Sequence, residues 1–171
     1  MTDTTISLAI ADARDIANFK KDLQDAFAVA AIKELEETPD GPIPSDDDLD
    51  ASINAVGAVT LHVLRGDEKI GGAVLTIDEK THRNTLDLFF LKRGQEGGGF
   101  GHKAWCAIEK RYPKTRAWRT YTPYFEKRNI HFYVNKCGFK IIQFFNDRHP
   151  DPNHPAADGS FGEGFLFEKI M

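Results

Sequence analysis

Cysteine is scarce in this chain of 171 residues: there are two, Cys106 and Cys137, and they form no CxxC pair. That spacing argues against both a disulfide scaffold and a zinc site. Long apolar runs are missing too, since none approaches the ~20 residues of a membrane span. Met1 to Thr5 also lacks the basic start and apolar core of a signal peptide. A reducing cytoplasm is the expected compartment. Basic clusters are few and the formal net charge is −4, which speaks against a nucleic-acid partner. Gly-Lys-Ser and Gly-Lys-Thr are absent, which removes a Walker loop. No repeat or interdomain linker interrupts the chain. Its 41% apolar and 11% aromatic content suits one domain with a full core across residues 1–171.

Glycine, by contrast, is concentrated where it carries information. An apolar run (Leu86, Leu88, Phe89, Phe90, Leu91) leads through Lys92-Arg93-Gly94-Gln95 into Glu96-Gly97-Gly98-Gly99-Phe100-Gly101. A helix then follows, with Phe100, Ala104, Ala107 and Arg111 at helical spacing, Trp105, Ile108 and Tyr112 on an adjoining stripe, and Pro113 as its stop. A strand that ends in glycines and turns at once into a helix leaves unpaired amides aimed at one spot, reinforced by about half a positive charge from the helix dipole. This is an anion site, and the expected anion is a coenzyme phosphate. A dinucleotide fingerprint does not fit, because after Gly97 and Gly99 the third glycine position is held by His102.

Periodicity and turn residues give the rest. Strands are expected at Ile6–Ala11, Val59–Leu64, Ile70–Ile77, Thr85–Leu91, Ala117–Thr122, Phe139–Phe145 and Phe165–Met171. Helices are expected from Asp12 to about Ala31, from Ser45 to Ala55, after Phe100, and from Arg128 to Lys136, where Gly138 stops the last. Thr38 to Pro42 breaks the first helix, Gly66-Asp67 makes a hairpin turn, and Asp147 to Gly164 reads as a loop. The fold class is α+β, with a mixed, mostly antiparallel sheet of about seven strands flanked by about four helices.

Charge is uneven along the chain. Residues 1–55 hold 13 acids and 4 bases, whereas residues 56–171 hold 13 acids and 18 bases. The back half suits a polyanionic ligand and the front half a cationic one. Asp46-Asp47-Asp48 is either part of that lure or simply the acidic first turn of a helix capped by Ser45. Six histidines (His62, His82, His102, His131, His149, His154) form no helical ligand pair, and Asp147-Arg148-His149-Pro150-Asp151 has no metal spacing. No metal is expected.

The element order, with its glycine loop between the fourth strand and the third helix, resembles the GNAT superfamily of N-acetyltransferases over nearly the whole chain. The family loop reads Gln or Arg, two residues, Gly, one residue, then Gly or Ala. Gly99 and Gly101 take the two small positions, which puts Glu96 on the Gln or Arg position, so that either Glu96 points outward or Gln95 takes its place. The segment from Asn129 to Phe139 is similar to the family's helix ending in Tyr, three residues, Gly-Phe, but here four residues separate Tyr133 from Gly138. The resemblance implies an acetyl-CoA-dependent N-acetyltransferase in which a primary amine attacks the thioester directly. Gly97, Gly98, Gly99, Phe100, Gly101 and His102 would hold pyrophosphate, with Glu96 beside them. Leu91 would pair its backbone with the pantetheine arm, and Asn129 would bond the coenzyme or cap its helix. Asp87 falls on the general-base position, or is an outward strand residue in an ion pair. Tyr133 would be the acid near sulfur, or a core residue, its place kept if the last helical turn absorbs the extra residue. The acceptor is expected to be a small-molecule or peptide amine, and the acidic front half favours a cationic one. The last strands could pair two subunits into a homodimer. The alternative is a non-catalytic acyl-CoA-binding sensor.

Overall fold

The computed structural model describes residues 5–35, 44–152 and 163–171. The break expected at Thr38–Pro42 and much of the Asp147–Gly164 loop lie outside those residues. Seven strands form one sheet: β1 (Ile6–Ile10), β2 (Ala58–Arg65), β3 (Glu68–Thr76), β4 (Arg83–Leu91), β5 (Ala117–Pro123), β6 (Lys140–Phe145) and β7 (Gly164–Ile170). Four helices accompany them: α1 (Ile16–Leu35), α2 (Asp46–Ile53), α3 (Phe100–Arg111) and α4 (Lys127–His131). The sheet order is β1-β2-β3-β4-β5-β7-β6, antiparallel throughout except for the parallel pair β4–β5. The last strand in sequence is therefore interior, between β5 and β6. The edge strands are β1 and β6, and on β6 Ile141, Ile142 and Phe144 are exposed.

Helices cover both faces, and this explains why β2 and β3 are buried along their middles without alternation. On one face Phe19 and Leu23 of α1 and Leu49 of α2 pack on Val74 and Phe90. On the other, Trp105 and Ile108 of α3 join Leu61, Leu75, Leu86, Trp118, Phe139 and Phe167. Each fully buried Leu or Phe contributes about 1.5–3 kcal/mol. α1 can lie this close because Gly72 has no side chain; a Cβ there would sit 2.2 Å from the Phe19 ring. His62, a polar residue in an apolar strand, lies beside Phe19 of α1, and its Nε2 meets Oδ2 of Asp15, in the turn just before that helix, at 3.2 Å. That bond is the main cause of the lowered Asp15 pKa.

Two local departures from regular structure set up the site. First, Leu88 pairs with Val74 and Leu86 with Leu75, so Asp87 has no opposite residue on β3 and forms a β-bulge. Second, the helix expected through Lys136 is α-helical only to His131 and continues as a π turn over Phe132–Lys136. The Cys137 amide donates to the Phe132 carbonyl at 3.0 Å, a five-residue step. A π turn holds one residue more than an α turn. The extra residue between Tyr133 and Gly138 is absorbed there.

Candidate active site

β4 and β5 run side by side only from Arg83↔Ala117 to Leu86↔Thr120. Beyond that point β4 stays with β3 up to Leu91, while β5 stays with β7 up to Pro123. The sheet forks there, and among the described residues the β5-facing edge of β4 beyond Leu86 has no strand partner. The Lys92 amide donates back to Ile70 on β3 at 2.7 Å. By strand alternation the amide and carbonyl of Leu91 point the other way, into the fork.

At the open end of the fork stands the N-terminus of α3. Its cap residue is Gly99, with φ 73° and no side-chain cap bond, and no acid lies in the first turn. Gly97 has φ 88°, a left-handed conformation that is costly for any residue with a Cβ. Among the described residues no acceptor meets the amides of Gly97, Gly98, Gly99, Phe100, Gly101 or His102. The expected anion trap is therefore free of internal partners. Glu96 does not point into it: its Oε2 accepts from the Gly94 amide at 2.8 Å, closing the preceding turn. Phe100 folds over Gly98, with Arg65 stacked 5.2 Å from its ring centroid. A Cβ at Gly101 would lie 3.3 Å from Phe132 and 3.7 Å from Leu91, so the helix start is seated closely on the fork. Phe132 in turn stacks on Phe89, centroids 5.8 Å apart and planes 5° from parallel. One turn into α3, the Nε2 of His102 lies 3.8 Å from Cys106 Sγ.

The residues expected to do chemistry are placed differently from one another. Asp87, half-buried on its bulge, accepts a 2.6 Å hydrogen bond from the Thr76 hydroxyl. Tyr133 is 5% exposed, packed among Phe132, Phe139 and Phe167, and burial pushes its pKa up from the ordinary tyrosine value. The Thr120 hydroxyl donates to the Leu86 carbonyl at 2.9 Å, at the last pair of the β4–β5 ladder. Asn129 is the third residue of α4 and does not cap it; Glu126 occupies the cap position, without a side-chain bond. The capping alternative for Asn129 is therefore corrected. His131 bonds Asn135 at 2.8 Å on the same helical face. Burial lifts the Cys137 thiol to about 12, which leaves it inert as a nucleophile.

Sequence reasoning misses Thr76, Thr120 and Phe132. For Thr120 there is a signal: a hydroxyl at an inward position two residues from Trp118, on a strand that reads as core. Two cavities form elsewhere. One, of about 370 Å³, lies under α1 and is lined by Asp15, Asp22 and Asp25 against His62, Lys69 and Lys92. The other, of about 530 Å³, lies beside His82, Asn84 and Tyr112. Neither lies at the fork. Among the described residues no group of three or more His, Cys, Asp or Glu is arranged to hold a metal ion, and no helix is long and apolar enough to cross a membrane.

A seven-stranded sheet split between β4 and β5, with a glycine-capped helix at the split, is the fold of the GNAT acetyltransferases. An acetyltransferase from Thermus thermophilus superposes over 100% of both chains, with a TM-score of 0.71 and 15% identity. A GNAT family acetyltransferase from Elizabethkingia anophelis with acetyl-CoA bound superposes over 97% of this chain and 98% of the other, with a TM-score of 0.67 and 14% identity. No protein-family model matches the chain. The chain belongs to the family of YrkN from Bacillus subtilis (strain 168), an uncharacterized protein that is 49% identical over 174 residues, covering 97% of this chain and 94% of the relative.

Proposed function

We propose that the protein is an acetyl-CoA-dependent N-acetyltransferase acting on a primary amine. The observation that carries this reading is the row of amides from Gly97 to His102 that meet no acceptor among the described residues, at the mouth of a fork where, among the same residues, the β4 edge beyond Leu86 has no strand beside it. Open amides at a helix N-terminus suit a diphosphate, and the open β4 edge suits an amide-bearing arm. The residues present therefore fit the coenzyme: Gly97 to His102 at the pyrophosphate, Leu91 backbone at the pantetheine, and Lys92, Arg93 and Lys103 near enough in sequence to add positive charge. When bound, acetyl-CoA supplies an activated acetyl thioester.

The chain's own tasks are then to hold an amine, take its proton and protonate the leaving side. An alkylamine of pKa near 10.4 is ~0.04% neutral at pH 7, a cost of about 4.6 kcal/mol. Asp87 is the proposed base, on a bulge that turns its side chain out of the regular ladder. The Thr76 hydroxyl, donating at 2.6 Å, orients the carboxylate. Tyr133 is the proposed acid; its raised pKa keeps the proton on the phenol at neutral pH. The Leu91 amide, aimed into the fork, is a preorganised donor of a type worth about 3 kcal/mol.

The acceptor is proposed to be cationic. Asp46 and Asp50 of α2 are partly engaged by Lys20, at 3.9 and 2.9 Å. Asp22 pairs with Lys92 at 3.4 Å, while Asp47, Asp48 and Asp25 add further negative charge on the same side of the sheet. A second reading, a sensor that binds acyl-CoA without transfer, is favoured by the burial of Tyr133, 5% exposed among aromatic side chains. Titration with acetyl-CoA and a panel of polyamines, aminoglycosides and lysine peptides decides. Saturable binding with turnover supports the enzyme, binding without turnover supports the sensor, and absence of thermal protection by acetyl-CoA overturns both.

A further inference from the structure

We propose that Thr76 is a positioning residue for proton removal from the amine: its hydroxyl, fixed at the end of β3, holds the Asp87 carboxylate at the vertex of the β4/β5 fork, on the α1/α2 face of the sheet. The inference rests on the proposed acetyl transfer for its purpose, and on the register of β3 and β4 for its geometry.

That register leaves Asp87 between two incompatible alternations. Successive strand residues point to opposite faces of a sheet. Counted forward from Leu86, which packs in the cluster on the α3 side, Asp87 belongs on the α1/α2 face. Counted back from Leu88, which packs against the cluster of Phe19, Leu49, Val74 and Phe90, it belongs on the α3 face. The bulge between the pairs Leu75↔Leu86 and Val74↔Leu88 keeps both leucines in their clusters, while Asp87 gives up a place in the ladder. The bond from Thr76 decides between the two faces. Leu75 belongs to the α3-side cluster and Val74 to the other, so the Thr76 side chain returns to the α1/α2 face. Its hydroxyl donates to Asp87 Oδ2 at 2.6 Å and so brings the carboxylate to that face. Tyr133 packs in the α3-side cluster. The proposed base and acid therefore approach the fork from opposite faces of the sheet.

The two partners differ in how firmly their backbones are held. Thr76 has a strand residue on each side, Ala58 of β2 and Thr85 of β4, and the amide that follows it, of Ile77, donates to the Gly57 carbonyl at 2.9 Å. Its β-branched side chain has few rotamers. Asp87 has no opposite residue on β3, and it is the first residue of β4 past Leu86↔Thr120, the last pair with β5. Neither ladder fixes the direction of its side chain. The Thr76 hydroxyl is a rigidly mounted donor at ordinary hydrogen-bond distance, and its hold on Oδ2 restricts rotation of the carboxylate. A general base has to stand within hydrogen-bond reach of the proton it takes. Loss of the anchor therefore acts on turnover, through Asp87.

The test combines a kinetic arm with a spectroscopic arm, using T76V, T76S, D87N and the T76V/D87N pair in the full chain. Valine keeps the shape of threonine and its liking for strands but has no donor, and serine keeps the donor. In turnover with a responsive amine, T76V is expected to lower kcat about 10-fold, a part of the roughly 10²–10⁴-fold that a general base supplies. The acetyl-CoA KM should stay within about 3-fold, since binding of the coenzyme is untouched. T76S should recover most of the rate, and T76V should cost nothing further in the D87N background. In protein labelled with carbon-13 at aspartate Cγ, the signal lost in D87N is that of Asp87; it is expected to move in T76V and to return in T76S. An unmoved signal in T76V overturns the proposal, as does an equal rate loss with and without the carboxylate. A wild-type chain that turns over at a rate T76V matches also overturns it, and leaves the acetyl-transfer reading in place. A wild-type chain that acetylates no amine overturns that reading, and the positioning role with it.

Discussion

The N-termini of α2 and α3 are built in opposite ways. α2 is closed: the Ser45 hydroxyl accepts from the Asp48 amide at 3.2 Å, and Asp46, Asp47 and Asp48 fill the first turn. α3 is open, with a glycine cap, no side-chain bond and no acid in its first turn. A Ser or Asp cap is typically worth about 1 kcal/mol, and each acid in the first turn adds a few tenths. α3 forgoes this stabilisation: a Cβ at Gly99 would meet nothing within 4 Å, but the left-handed backbone there suits glycine and, at some cost, only Asn or Asp. An end optimised for stability answers its own amides. An end left unanswered at the mouth of a forked sheet is disposed to answer an anion from outside.

Closing the open end is the strongest way to break this contrast. G99D would give α3 a carboxylate at its cap, in a left-handed conformation that Asp tolerates better than most residues. Acetyl-CoA affinity is expected to fall at least about 100-fold, or roughly 2.7 kcal/mol, with the melting temperature changed by only a few degrees. Calorimetric titration beside a thermal scan separates the two effects. Retained affinity would mean that these amides do not hold the coenzyme.

Neutralising the closed end comes next in size. The triple change D46N/D47N/D48N removes the first-turn acids of α2 while keeping Ser45. If that end helps gather a cationic acceptor, the KM for a polyamine should rise about 3- to 10-fold at low salt, and less at about 0.5 M salt, where screening is strong. The acetyl-CoA KM should not move. An unchanged acceptor KM would reduce the acidic turn to a structural cap.

What can be read from the sequence follows the range of the interactions. The α3 start is legible because Leu86 to Leu91, the glycines and Pro113 are all local signals, and Ser45 announces the α2 cap in the same way. Tyr133 and Gly138 show an excess of one residue, and the π turn is its physical answer. The fork is not legible, because it depends on Leu86 and Thr120 meeting across 34 residues. Nor is the bulge at Asp87, which arises from register against Val74 and Leu75. His62 reads as a lone strand histidine because its partner Asp15 is 47 residues away. Asn129 suggests a cap because asparagine favours that position, yet α4 already begins at Lys127, with Glu126 at the cap.

A smaller change sharpens the contrast from the stability side. S45A removes the side-chain bond to the α2 amides and is expected to cost about 1 kcal/mol. For a chain of this size that lowers the melting temperature by about 2–4 °C. The acetyl-CoA Kd should be untouched, which makes S45A the counterpart of G99D: the first change acts on stability alone, the second chiefly on binding. A measurable loss of acetyl-CoA affinity in S45A would show the two ends to be coupled.

The smallest expected effect is a change in slope with pH. Burial raises the Tyr133 pKa above the ordinary value of 10.0, and the Asp50 carboxylate raises that of Lys20 above 10.5. For both groups the folded state binds its proton more tightly than the unfolded chain does. Their contributions are therefore complete below those ordinary values and decline as pH climbs through the raised ones. Thermal stability should accordingly fall from about pH 10 upward, and Y133F should flatten that fall by removing the buried phenol. The carboxylates that Lys20 meets are themselves well exposed, so K20M is expected to change the slope less than Y133F. The sign matters more than the size: if Y133F steepened the alkaline loss, the phenol would have to be ionised in the folded protein, and Tyr133 could not then act as a proton donor to a departing thiolate.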